Sequence, residues 1–365
     1  MKKKKLKVLI VDDSIIFRKI LEEAISGFEN AEVVGSVFSG KKAIEFINTK
    51  QIPDIITLDM EMPELSGLDM LKAIRDLKSA NPECKKIKVI IISSYNQKDA
   101  DTAIEALENG AFDFISKPQT NDLKSSLSEL RNQLIEKFDY IDEKPIQNIK
   151  ELSKAYTKVG EIITNSPYNN DNKIEIIAFG VSTGGPRALF TIIPELSKLT
   201  NLPILIVQHM PPAFTKSFAD NLNKRCEHKV IEAKGNELIQ NKYIYIAPGG
   251  KHMIVRRSSE SKTIIGINDN PSENDCKPSV DVLFRSIANV YANRAIVSIL
   301  TGMGSDGVKS LESLRRVGAY IIAQDEETST VWGMPGRAVE SGNVNKVLPL
   351  EKIPSAIESI INNGY

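Results

Sequence analysis

The chain of 365 residues carries 47 Lys and Arg against 47 Asp and Glu, giving zero formal net charge, and 41% of its residues are hydrophobic. That length supports two or three domains with sizeable cores. The balanced charge excludes a general nucleic-acid footprint, and no run approaches the roughly 18 apolar residues needed for membrane insertion.

The chain opens on a basic run, Lys2–Lys5, followed by the apolar stretch Leu6–Val11. Lys7 interrupts that stretch and Asp12–Asp13 closes it, so it is too short for an export signal. Leu6–Val11 reads instead as a buried strand. Ser14 is placed to cap a helix running to about Ser26, with Ile16, Ile20, Leu21 and Ala24 at helical spacing. Further strands are expected at Ala31–Ser36, Ile55–Leu58, Val89–Ile92 and Phe112–Ser116. Helices are expected at Lys41–Asn48, Leu68–Leu77, Ala100–Glu108 and about Asn121–Lys137.

Five βα units call for a parallel sheet with helices on both faces. Ligands in such folds bind beyond the carboxyl ends of the strands. Those ends present Asp12, Asp13, Asp59, Ser93 and Lys117. Three carboxylates brought together repel one another unless a hard cation such as Mg²⁺ neutralises them. A lysine and a hydroxyl beside them suit the oxygens of a phosphorylated Asp59. Taken singly, each of these residues is as readily a helix cap or a solvated side chain.

Residues 1–137 resemble the receiver domain of two-component response regulators. The resemblance runs through Asp12–Asp13, DMEMPELSGLDML from Asp59, ISS from Ile92 and SKP from Ser116. It implies a five-stranded, flavodoxin-like domain in which Asp59 accepts a phosphoryl group from a sensor histidine kinase. It also implies Asp12, Asp13, Asp59 and the Met60 carbonyl as Mg²⁺ ligands. Ser93 and Lys117 are the implied phosphate-sensing pair, and Phe114 the aromatic residue that turns inward on phosphorylation. Extra length around Lys78–Lys88 is expected to form a surface loop.

Periodicity weakens from Phe138 to Lys173, where Pro145, Pro167 and the polar run NSPYNNDNK mark an exposed connection. A linker is expected over 138–172, with a short helix at Ile149–Val159. A second domain follows at 173–365.

That domain begins with IEIIAFGVSTGGP from Ile174. A strand ends at Phe179, small residues carry Ser182 and Thr183 through a turn, and a helix follows at Arg187–Leu196. G-V-S-T-G fits a nucleophile elbow, and equally a tight turn or phosphate-binding loop in which Ser182 is only a cap. Later strands are expected at Pro203–Val207, Val230–Glu232, Tyr243–Ala247, Ile264–Ile267, Ala295–Leu300 and Tyr320–Ala323. Helical stretches are Phe214–Asn223, Val280–Val290, Val308–Val317 and Val331–Glu340. About seven strands in a mostly parallel, doubly wound α/β sheet are therefore expected.

The chain has three histidines. His228 reads as a surface residue and His252 as a loop-orienting, structural one. His209 ends a strand of a parallel sheet, where sites gather. Asp306 lies in the glycine-rich TGMGSDG loop after another strand. Ser182, His209 and Asp306 meet the requirements of nucleophile, general base and orienting acid. Their chain order weighs against an α/β-hydrolase, which runs Ser, Asp, His. Cys84, Cys226 and Cys276 are odd in number and widely spaced. They fit a reducing cytoplasm without disulfides or zinc spacing, and all three read as structural or incidental.

Residues 174–350 resemble the catalytic domain of the chemotaxis protein-glutamate methylesterases. The matching stretches are GVSTGGP from Gly180, VQHMPPAFTKSFA from Val207, YIAPGGKHM from Tyr245 and PSVDVLF from Pro278. ILTGMGSDG from Ile299 and AQDEETSTVWGMPGRAVESG from Ala323 complete it. The resemblance implies Ser182, His209 and Asp306 as the catalytic set, Thr183 as their support and the Met303 N–H as an oxyanion donor. It further implies hydrolysis of glutamate γ-methyl esters on chemoreceptors, switched on by phosphorylation, with possible glutamine deamidation by the same serine. No metal is expected in the ester chemistry. The enzyme is expected in the cytoplasm at chemoreceptor arrays. Two departures stand out: Lys277 where the family carries Arg, which loses a bidentate fork, and Gly336 at a helix entry. The competing expectation is a phosphorylation-dependent binding module without turnover.

Overall fold

The computed structural model describes residues 5–49, 51–119, 122–142 and 173–363. The chain divides into two compact units, Met1–Pro145 and Ile146–Tyr365. The linker from residue 143 onward, the expected helix at 149–159 and the first three residues of the basic run lie outside the described residues.

The first unit alternates β1 (Leu6–Val11), α1 (Ile15–Ser26), β2 (Ala31–Val37), α2 (Gly40–Thr49), β3 (Ile55–Asp59), α3 (Gly67–Ala80), β4 (Lys88–Ser93), α4 (Gln97–Glu108), β5 (Asp113–Ser116) and α5 (Leu123–Asp142). Its five strands lie in the order β2-β1-β3-β4-β5 and every pairing is parallel. Ser14 caps α1 as its sequence position suggests, accepting from the Phe17 N–H. β3 is buried along its whole length because helices cover both faces of the sheet.

Two boundaries differ from the sequence reading. The extra length after α3 includes a short 3₁₀ helix, Pro82–Lys86, capped by Asn81 and anchored by the buried Cys84. The last helix continues to Asp142 because Phe138 is a core residue, fully buried and packed on Phe28 with ring centroids 5.2 Å apart.

The second unit is built on a seven-stranded sheet. β6 (Ile176–Val181) leads through α6 (Gly185–Leu199) to β7 (Ile204–Gln208), α7 (Pro212–Asn223), β8 (Lys229–Glu232) and β9 (Tyr243–Ile246). A hairpin of β10 (His252–Arg257) and β11 (Thr263–Asn268) precedes α8 (Val280–Tyr291). The chain ends with β12 (Ala295–Ile299), α9 (Val308–Arg316), β13 (Tyr320–Gln324), α10 (Gly333–Glu340), β14 (Lys346–Leu348) and α11 (Ile353–Asn363). The strand order is β14-β13-β12-β6-β7-β9-β8, with parallel pairing throughout.

The strand expected at 264–267 is real but belongs elsewhere. It pairs antiparallel with β10 in a separate two-stranded sheet, and the seventh place in the main sheet falls to β14. His228 is a second correction. It is 2% exposed rather than superficial, and its Nε2 bonds the Thr200 carbonyl at 2.8 Å. His252 is also fully buried, with Nε2 on the Pro271 carbonyl.

Truncating Phe138 leaves a cavity beside Phe28, and a buried Phe→Ala change typically costs about 3–5 kcal/mol. Phe138→Ala is therefore expected to lower the melting transition of the first unit in calorimetry of the full chain. An unshifted profile contradicts a core role for the end of α5.

Candidate active site

In the second unit the sheet reverses winding at β6, which has β12 on one side and β7 on the other. Such a switch point opens a crevice at the carboxyl ends of the central strands. Three chain segments meet there. β6 and β7 are in register with Val181 opposite Gln208, so Ser182 and His209 each stand one residue beyond a strand end. The His209 N–H extends that pairing by donating to the Val181 carbonyl at 3.1 Å. On the other side, the Ser182 N–H donates to the Thr301 carbonyl at 3.0 Å. Gly302 is required at this crossing, because a Cβ there would stand 2.7 Å from the Ser182 Cβ.

Thr301, next to Gly302, ties the turn together. Its Oγ1 donates to the Thr183 carbonyl at 2.9 Å and accepts from the Val331 N–H. Gln208 Nε2 bonds the Ser182 carbonyl at 2.9 Å. Met303 follows Gly302, and its N–H has no hydrogen-bond acceptor among the described residues.

Asp306 closes the site. Its Oδ2 lies 2.9 Å from His209 Nε2 and accepts from the Val280 N–H at 2.6 Å. Its Oδ1 accepts from Ser279 Oγ, Asn274 Nδ2 and the N–H groups of Asp281 and Gly307. The carboxylate thus sits on the N-terminus of α8, where free N–H groups and the helix dipole favour an anion. Burial opposes its charge, but His209, the Val280 N–H and Ser279 outweigh burial and hold its pKa down at about 2. Burial likewise opposes a charged His209, and the hydrogen bonds that the ring donates to Asp306 and Cys276 reverse that, lifting the imidazole to about 10.

His209 therefore presents Nε2 to Asp306 and turns Nδ1 outward. In this structure Nδ1 faces the Cys276 sulfur at 3.6 Å. The Ser182 hydroxyl makes no hydrogen bond among the described residues. Cys276, read from the sequence with the other two cysteines as structural or incidental, is thus in contact with the imidazole. Sequence reasoning also missed Asn274 and Ser279, which orient Asp306 from the segment ahead of α8. Only the PSVDVLF run, which contains Ser279 and which Asn274 shortly precedes, could have signalled them.

The first unit gathers its own set at the ends of β1, β3 and β5. Ligand atoms of Asp12, Asp13 and Asp59 lie within 4.8 Å of one another. Lys117 Nζ is 2.9 Å from Asp59 Oδ2 and 3.4 Å from Asp12 Oδ2. Asp12 Oδ2 is buried without a hydrogen bond, an orphan oxygen of the kind a cation satisfies, so the residues fit a hard metal ion. Met60 lies beside Asp59, its carbonyl accepting from the Gly67 N–H. Ser93 is buried, and its Oγ donates to the Asp99 carbonyl at 3.2 Å rather than to Asp59. Phe114 is half-buried on β5.

Comparison with known proteins matches residues 177–357 to the CheB methylesterase family and residues 8–128 to the response regulator receiver domain. A protein-glutamate methylesterase/protein-glutamine glutaminase of Desulfotalea psychrophila is 39% identical over 97% of this chain and 98% of its own length. The Bacillus subtilis relative of the same name is 36% identical over 98% of each. The chain belongs to this family. The crystal structure of the Thermotoga maritima CheB methylesterase catalytic domain covers 51% of this chain and 98% of its own, at 40% identity and a TM-score of 0.50.

Against this methylesterase family pattern, Lys277 is not idle. Its Nζ bonds Asp269 Oδ1 at 2.5 Å and the Asp269 carbonyl at 3.1 Å, anchoring the segment after β11. Gly336 does not interrupt a helix entry; it lies within α10, where a Cβ would stand 3.2 Å from the Trp332 ring.

In the receiver, burial raises the Asp59 pKa to about 6, Lys117 pulls it down and Asp12 adds to the rise. Folded Asp59 keeps its proton to higher pH than an unfolded aspartate does. Its contribution to stability therefore declines as pH rises from about 4 through about 6. Carbon NMR titration of the metal-free protein is expected to give an Asp59 midpoint near 6, and Lys117→Met a higher one. A midpoint that falls on removing Lys117 contradicts this balance.

Proposed function

We propose that this chain is a phosphorylation-activated esterase that hydrolyses glutamate γ-methyl esters on chemoreceptors, releasing methanol. The observation that carries the reading is the meeting of Ser182, His209 and Asp306 at the switch point of the sheet, in a chain related end to end to protein-glutamate methylesterases. Ser182 Oγ attacks the ester carbonyl, and its proton passes to His209 Nδ1, since Nε2 is committed to Asp306. Asp306 steadies the imidazolium that forms. The free Met303 N–H is suited to the oxyanion. Loss of methanol leaves an acyl-serine, and His209 then deprotonates the water that resolves it. Thr183 supports this turn through its carbonyl, held by Thr301.

The same relay fits glutamine deamidation, which the relatives' names also carry. An amide leaving group needs a proton, and the raised pKa of His209 supplies an acid for it. Release of ammonia rather than methanol separates the two reactions.

Regulation falls to the receiver, residues 1–137. Asp59 would take a phosphoryl group from a sensor histidine kinase. Asp12, Asp13, Asp59 and the Met60 carbonyl would hold Mg²⁺, which supplies charge neutralisation at the carboxylates. Lys117 would hold the phosphoryl oxygens, while Ser93 leaves the Asp99 carbonyl to join them and Phe114 turns inward. This is a population shift between two arrangements of the receiver. The protein would act in the cytoplasm, at receptor arrays. No described helix is long and apolar enough to cross a membrane.

Methanol release from methylated receptor membranes, with and without a small-molecule phosphodonor, tests reaction and switch together. Ser182→Ala is expected to reduce release by at least about 10³-fold, and Asp59→Asn to abolish phosphodonor stimulation. Steady binding to receptors without any turnover would favour the non-catalytic module. The esterase needs neutral His209, so kcat/KM is expected to rise with pH on the alkaline side. Asp306→Asn is expected to lower kcat/KM by about 10²–10⁴-fold and to move that limb to lower pH, because the anion that raises the imidazole pKa is gone. An unshifted limb contradicts the assigned base.

A further inference from the structure

Cys276 is the chemically capable residue of this site that the esterase reaction does not use. It is partly exposed, and its sulfur faces the nitrogen of His209 that Asp306 leaves open. Its position is built. Cys276 and Glu273 exchange backbone hydrogen bonds of 2.9 and 3.1 Å across a tight turn. Arg285 grips Glu273 through both carboxylate oxygens, each at 2.6 Å. Asn274, within the turn, reaches Asp306 Oδ1 and Asp281 Oδ2, and Lys309 holds its amide oxygen at 2.7 Å. The turn that orients the Asp306 carboxylate therefore also sets the sulfur on the imidazole. Sulfur, imidazole and carboxylate form a continuous relay, whereas the Ser182 hydroxyl stands outside it.

We propose that Cys276 is a second nucleophile served by the His209–Asp306 pair, and that this makes the site a target for hydrogen peroxide, whose reaction at sulfur withholds the base from Ser182. The proposal rests on the esterase reading for its effect on turnover, though not for the reactivity of the thiol. An imidazole in contact with a thiol can take its proton as the sulfur attacks, and the thiolate so formed is the reactive species. The Cys276 thiol gives its proton to His209 Nδ1, and Asp306 holds the resulting imidazolium through Nε2–H. The thiolate attacks one peroxide oxygen: an S–O bond forms, the O–O bond breaks, and hydroxide leaves with the proton from Nδ1 as water. Sulfur loses two electrons and becomes a sulfenic acid, while the peroxide is reduced. The added oxygen occupies the space before Nδ1. A small dithiol reverses the step. One thiol displaces water from the sulfenic acid, and the second resolves the mixed disulfide, regenerating Cys276 and leaving an oxidised dithiol.

The chain contains its own controls. Cys84 is 2% exposed, and burial pushes the Cys226 thiol up to about 11. Native full-length protein treated with iodoacetamide and mapped by mass spectrometry is expected to label Cys276 at least about 10-fold faster than Cys226 at neutral pH. That advantage is expected to disappear in His209→Gln and to shrink in Asp306→Asn, each first checked for folding by circular dichroism. Hydrogen peroxide followed by a sulfenic-acid trap is expected to mark Cys276. Methanol release falls in step and returns with dithiothreitol, while Cys276→Ala treated alike keeps its own untreated rate. Equal labelling of Cys276 and Cys226, an unchanged rate in both folded relay variants, or a Cys276→Ala enzyme as peroxide-sensitive as its parent overturns the proposal. A protein that labels at Cys276 through His209 yet never releases methanol keeps the nucleophile and loses the esterase reading. An active esterase with inert Cys276 loses only the proposal.

Discussion

The second unit depends on one buried anion. Asp306 is 2% exposed and collects donors from four places: His209, the turn at Asn274, Ser279 with the first N–H groups of α8, and Gly307 ahead of α9. An isolated carboxylate in such a position would take up a proton. Here the hydrogen bonds reverse that tendency, and the surviving negative charge holds the imidazole in a fixed tautomer. The same carboxylate is a structural clasp, since its partners lie on segments that pack around the carboxyl ends of β6, β7 and β12. Fold and chemistry are thus fixed by one set of hydrogen bonds.

The two units solve different problems at the same kind of place. Each is a parallel sheet whose strand ends present polar side chains around a reversal of winding. In the first unit three carboxylates gather at Lys117; burial lifts Asp59 above its ordinary pKa against the pull of that lysine, and Asp12 Oδ2 is left without a hydrogen bond. That imbalance favours cation and phosphoryl chemistry. In the second unit the Asp306 carboxylate is over-supplied with donors and stays ionised. That surplus favours steadying an imidazolium. The number of donors per buried charge separates their chemistries.

The resting geometry of His209 adds a second layer. Its two ring nitrogens are divided between Asp306 and the Cys276 sulfur, so the nitrogen that Ser182 needs is shared rather than reserved. Ser182 is instead fixed through its backbone, by Thr301 on one side and Gln208 on the other.

Much of this was legible in the sequence. The apolar runs and the residues that close them specify two α/β units, and the strand ends name Asp12, Asp59, Lys117, Ser182, His209 and Asp306, because a parallel sheet always brings those ends to one edge. Local pattern could not place Ile264–Ile267, whose alternation is the same in a main sheet and in a side hairpin, nor find the short edge strand Lys346–Leu348. His228 read as exposed because its neighbours in sequence are polar, although the Thr200 carbonyl that buries it comes from another segment. Cys276 looked incidental for the same reason. Its partner His209 is 67 residues earlier in the chain, and only the folded turn ahead of α8 brings sulfur and imidazole together. Sequence determined which chemical groups stand at the ends of the strands; tertiary structure alone decided which of them share a proton, because that depends on distances between segments no local pattern connects.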